Sequence, residues 1–156
     1  MRLQLVLLSL LFSTAAMASG KIGYGTRAGM QVTVVSMSGL DTRKAIIKTT
    51  HNRDDALAFC RDYVQKVTEK CIQEELAVPL SDSISANCLS GEFTDFSGHR
   101  HRFAGPNKNN SDVMAHSKII DLATGEIEDG SNASGYPVNL DIFRALCPRH
   151  APPGDD

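Results

Sequence analysis

The chain has 156 residues, is 42% hydrophobic and carries a formal net charge of −2. That length suits one domain with a buried core, and a mildly acidic, mixed surface lacks the basic stripe of a nucleic-acid binder or the polybasic segment of a membrane-surface protein. With no tryptophan and 6% aromatic residues, the chain is poorly supplied for stacking on sugars or single strands.

The first residues read as an export signal. Arg2 supplies a positive charge, Leu3 to Phe12 is apolar except for Gln4 and Ser9, and Ala16 and Ala18 close a run of small residues in an A-x-A arrangement. Charge, short apolar helix and small side chains in that order predict cleavage after Ala18. A spanning helix would need roughly 20 apolar residues, about twice this run. The expected organisation is a signal peptide over 1–18, a single exported domain over 19–150 and a mobile Pro/Gly/Asp tail over 151–156. The implied location is periplasmic or secreted, with no membrane span in the mature chain.

Ser19 to Gly29 is Gly-rich and polar and predicts a loose lead. Met30 to Met37 and Arg43 to Thr49 predict two strands joined by the turn Ser38-Gly39-Leu40-Asp41. Asn52 to Leu76 predicts one long helix. Asn52 is a good N-cap, Asp54 and Asp55 suit the first turn, and Ala56, Cys60, Val64, Val67 and Cys71 fall on one stripe. Asp62 and Lys66 stand in the favourable i,i+4 order. A strand over Ile84 to Cys88 follows, with Gly91 marking a bulge or bend. Glu92–Phe96 and His99–Phe103 predict a hairpin turning at Ser97-Gly98, with Asp95 opposite Arg100. Val113 to Leu122 and Ile127 add strands, and Val138 to Leu146 a short helix stopped by Pro148. The sum is an α+β fold: an antiparallel sheet of about six or seven strands, one long and one short helix, and two disulfides.

Cys60, Cys71, Cys88 and Cys147 all lie beyond the predicted cleavage site, and an even count in an exported chain predicts two disulfides. On a continuous helix Cys60 and Cys71 would stand roughly 16 Å apart, too far for a bond that needs Cα atoms within about 7 Å. The remaining pairings are 60–88 with 71–147, or 60–147 with 71–88. The shorter 71–88 loop favours the second.

Two groups are candidate site residues. His99 and His101 are i,i+2 on a strand, so both imidazoles point one way and are the candidate metal ligands. The competing reading is a partly buried face shared with Phe96 and Phe103. Arg100 and Arg102 point to the other face, with Lys108 nearby, and are candidate ligand-binding residues for an anionic sugar or phosphate. Their competing reading is a solvated edge paired with Asp95. Asp121, Glu126, Glu128 and Asp129 cluster near a hairpin without EF-hand order. Ser134 sits beside Gly135 but outside any G-x-S-x-G, and there is no H-E-x-x-H, phosphate loop or dinucleotide fingerprint. No cofactor is implied. Asn109-Asn110-Ser111 and Asn132-Ala133-Ser134 match the glycosylation acceptor.

Ala86-Asn87-Cys88-x-x-Gly91-x-Phe93-x-Asp95, Arg102-Phe103-x-Gly105, Asp121 to Glu126, Ala133 to Tyr136 and Leu146-Cys147-Pro148 form a pattern over residues 84–148. This pattern resembles small uncharacterised exported proteins of alphaproteobacteria. The resemblance implies a bacterial periplasmic or secreted location and brings no catalytic residues. The function expected is a disulfide-stabilised binding or accessory module acting on an envelope component or a partner protein. The alternatives are a small hydrolase built on His99, His101 and Ser134, and a periplasmic metal-binding protein.

Overall fold

Period-two alternation builds the sheet. In the computed structural model, which describes residues 20–108, 116–130 and 135–153, buried and exposed residues alternate without fault along Ala45–Thr50. The strands are β1 (Lys21–Gly23), β2 (Gln31–Ser38), β3 (Ala45–Thr50), β4 (Ser83–Asn87), β5 (Glu92–Thr94), β6 (Arg100–Pro106), β7 (Ser117–Asp121) and β8 (Ile127–Glu128). All eight form one antiparallel sheet in chain order. The helices are α1 (Arg53–Asp62), α2 (Glu69–Leu76) and α3 (Tyr136–Leu146). The α+β antiparallel class stands, with eight strands and three helices among the described residues in place of the expected six or seven and two. The extra strand is β1, hidden in the Gly-rich lead, which pairs Ile22 with Val32. The signal segment, both glycosylation acceptors and Ser134 lie outside the described residues.

The sheet curls around α3, which touches β1, β3, β4, β6 and β7. Phe143 is fully buried, stacks on Phe103 at 4.7 Å between ring centroids and meets Phe93 at 5.5 Å. Ile47, Ile84, Ile119, Ile142 and Leu146 complete the same core. Gly91 holds φ 75°, and a Cβ there would come within 2.5 Å of the Phe103 carbonyl oxygen. The strand can turn there only without a side chain.

The long helix expected over Asn52–Leu76 is two helices. Asn52 does cap α1, accepting the amides of Asp54 and Asp55, while Asp55 returns the bond to the Asn52 amide. The helix ends at Asp62, and Gln65 swings to φ 57°. Thr68 then caps α2 by accepting the Cys71 amide at 3.2 Å. The intervening stretch has Val64, Val67 and Thr68, β-branched residues that continue a helix poorly. Asp62 pairs with Arg61, at 2.6 Å, rather than with Lys66.

The break reverses the disulfide expectation. Cys60 bonds Cys71 with Cα atoms 6.1 Å apart, and Cys88 bonds Cys147 at 5.5 Å. Both expected pairings, 60–88 with 71–147 and 60–147 with 71–88, are therefore corrected. They rested on a 16 Å separation that exists only along an unbroken helix. Among the described residues no helix is long and apolar enough to cross a membrane.

Candidate functional site

The β5–β6 turn places the two histidines and two arginines. Thr94 pairs with Arg100, so the turn spans 95–99, longer than the two-residue loop expected, and Asp95 does not face Arg100. The Asp95 side chain organises the turn instead. Its Oδ1 accepts the amides of Ser97 and His99, both at 2.8 Å, and its Oδ2 lies 3.2 Å from His101 Nε2 and 3.5 Å from His99 Nδ1. One carboxylate thus gathers both histidines from different surroundings. His101 is buried and stacked on Phe93 at 5.3 Å, whereas the His99 side chain is 69% exposed. His99 lies before the first residue of β6, so the strand rule that would orient the pair together does not reach it.

Behind His101 stands Glu128, whose Oε1 is 3.8 Å from Nδ1 and whose Oε2 accepts a 2.9 Å bond from Asn139 of α3. Burial disfavours the charged imidazole, but the hydrogen bond and charge of Asp95, with the charges of Glu128 and Asp121, outweigh it and raise the His101 pKa. Burial likewise works against the Asp95 carboxylate. The hydrogen bonds from His101 and from the turn amides overcome it and lower its pKa. The arrangement is a hydrogen-bonded His–Asp pair, with His101 buried and Asp95 half-buried, that favours the charged imidazole. Its imidazole has Nε2 committed to Asp95, and Nδ1 has no hydrogen-bond partner among the described residues, so no hydroxyl or thiol there is hydrogen-bonded to it. Among the described residues no group of three His, Cys, Asp or Glu side chains is placed to hold a metal ion. Asp121 caps its own turn, accepting the amides of Ala123 and Thr124. A cleft of about 340 Å³ opens beside this pair, lined by Tyr24, Arg27, Met30, Asp95, Val138 and Asn139.

The opposite face of the sheet carries a different surface. Because His101 and Phe103 point inward, Arg100 and Arg102 point out, as alternation predicts. They join Lys48 of β3 and Lys118 of β7 on that face. A groove of about 330 Å³ runs across β3 to β6, its polar lining made by Arg43, Lys44, Ser85, Asn87, Glu92, Thr94 and Arg100. Ser85 and Thr94 share a hydrogen bond across its floor. Glu92 lies diagonally across from Arg100 and pairs with it at 2.9 Å. Arg43, Lys44, Lys48, Arg102 and Lys118 form no ion pair among the described residues. Spacing flagged Arg100 and Arg102. Arg43 and Lys44 escaped notice because a hairpin loop far along the chain brings them here. Searches of protein-family models, curated proteins and solved structures found no match to this chain.

Proposed function

We propose that the chain is an exported, disulfide-stabilised binding module whose outer sheet face takes an anionic, hydroxyl-rich ligand, a phosphorylated or acidic sugar of the cell envelope. The observation that carries the reading is the groove over β3–β6, where Arg43 and Lys44, without an acidic partner among the described residues, stand near the Arg100–Glu92 pair and the hydroxyls of Ser85 and Thr94. Guanidinium and ammonium groups supply charge-assisted bonds to an anion, and the hydroxyls and the Asn87 amide match sugar hydroxyls. The signal-like N-terminus and the resemblance to exported alphaproteobacterial proteins support a periplasmic or secreted site of action, as do two disulfides. A rigid sheet face also suits an accessory role, holding a ligand for a partner protein.

Calorimetric titration with dextran sulfate, against neutral dextran, tests the reading. Wild-type protein should bind the sulfated polymer and ignore the neutral one. Arg43→Glu with Arg100→Glu should weaken binding at least about tenfold, since each charge-assisted bond contributes on the order of 1.5–3 kcal/mol. Unchanged affinity in that double variant, with its fold verified by circular dichroism, overturns the assignment.

A further inference from the structure

A second surface stands apart from the groove, in the loop closed by Cys60–Cys71. Tyr63, Val64 and Val67 are 46%, 44% and 53% exposed, three large apolar side chains within five residues. They are not a frayed end. The amides of Tyr63 and Val64 bond the Phe59 carbonyl, the Lys66 amide bonds that of Cys60, and the disulfide ties both sides of the loop. Phe59 stacks on Tyr63 at 5.4 Å, and the Arg27 guanidinium sits 4.8 Å over the Tyr63 ring. The loop is therefore held ready, and docking it costs little ordering entropy.

We propose that this loop is a membrane-contact element, with Tyr63, Val64 and Val67 entering the interface of a bilayer rich in anionic phospholipid. The charges around it fit that occupant. The acids of the segment are occupied: Asp62 pairs with Arg61, and Glu69 with Arg53, both at 2.6 Å. Arg27 and Lys66 form no ion pair among the described residues, so an approaching surface meets apolar side chains rimmed by cations. Size argues against a protein partner. Three half-covered side chains offer on the order of 300 Å², whereas each side of a stable protein interface contributes about 800 Å². Shallow insertion of a few aromatic and aliphatic groups beside basic residues needs no such area. Local placement of these cations, not net charge, is what matters, so the overall −2 is no obstacle.

The chain has no tryptophan, which makes the test direct. Tyr63→Trp places a single reporter in the loop of the otherwise intact protein. With vesicles of phosphatidylglycerol and phosphatidylethanolamine, emission should move to shorter wavelength and brominated acyl chains should quench it. Phosphatidylcholine vesicles should leave it unchanged. Adding Val64→Asp and Val67→Asp should weaken partitioning at least tenfold. The sheet-face variant Arg43→Glu with Arg100→Glu should leave the emission shift intact, so failure of the groove and failure of the loop read out separately. The proposal is overturned if vesicles sediment the protein without an emission shift, or if the sheet-face variant abolishes the shift. It also falls if the loop variants dissolve a self-associated form while vesicles bind nothing.

Discussion

Around Cys88–Cys147, Phe143, Ile119, Ile84, Ile47 and Leu146 form a continuous core between α3 and the curled sheet. Around Cys60–Cys71, the buried cluster among the described residues is Ala56, Cys60 and Ile72. The helical hairpin is held instead by polar devices. The Asn52–Asp55 capping box fixes the start of α1, while the Lys21–Asp55 ion pair, the Thr33 hydroxyl on Asp55 and the Tyr24 hydroxyl on Glu75 tie the hairpin to β1, β2 and the segment between them. Gly29, at φ 78°, lets the turn between β1 and β2 approach Phe59 so closely that a Cβ would sit 2.6 Å from its Cα. In the first region the crosslink reinforces burial. In the second it substitutes for burial, because a loop of exposed valines cannot stabilise itself.

Removing the two bonds separately breaks the comparison most forcibly. By the chain-entropy relation, Cys88→Ser with Cys147→Ser should cost about 4 kcal/mol, and Cys60→Ser with Cys71→Ser about 3 kcal/mol. The distribution of the loss matters more than its size. Hydrogen exchange should show the first variant weakened throughout, and the second weakened mainly in α1 and α2. If removal of Cys60–Cys71 lowers protection equally in β3, β4 and α3, the two regions are one cooperative unit.

A smaller effect sharpens the polar side of the contrast. Asn52→Ala removes the acceptor for two α1 amides and should cost about 1 kcal/mol in a urea melt. No measurable loss would mean that the ties to Asp55 alone set the start of the helix.

The smallest difference lies in pH dependence, where buried His101 and half-buried His51 act with opposite sign. His101 has a raised pKa, so its contribution is full below about pH 6.5 and is lost as pH rises through the raised value. Asp95, with a lowered pKa, contributes above about pH 4 and loses that as pH falls through its lowered value. His51, beside Glu75 and the Tyr24 ring, is pushed down by burial, against the pull of Asp55. Its neutral form suits the fold, so stability is lost as pH falls through its lowered value. Burial raises the Glu75 pKa, which gives that carboxyl the reverse slope. Thermal melts should show His101→Gln costing more at about pH 5.5 than at about pH 8, and His51→Gln costing less. Slopes of the same sign for both variants would erase the distinction.

Strands and caps were legible in the sequence because their signals are local. The alternation of Ala45 to Thr50 and the Asn52 cap need no distant residue to be read. The disulfides were not, because one residue decided them. Gln65 in the left-handed region turns the chain, and nothing about glutamine announces it. Thr68 before Glu69 was a readable start signal for α2, masked by an unbroken apolar stripe from Ala56 to Cys71. For the site, alternation oriented Arg100 and Arg102 outward. The five-residue turn built by Asp95, and the arrival of Arg43 and Lys44 from another hairpin, depend on tertiary structure.

The strand order of the sheet is the order of the chain. Each pairing closes a loop between sequence neighbours, so the strands can register as they are made, at low entropic cost. α3 is the exception. It comes after all eight strands and yet reaches back to β1. Until residues 136–146 arrive, Phe93, Phe103 and Ile119 line an inner face with nothing to fill it. A chain stopped before Tyr136 would hold all eight strands with an adhesive interior, prone to joining its neighbours. The final helix therefore sets the moment at which folding becomes safe.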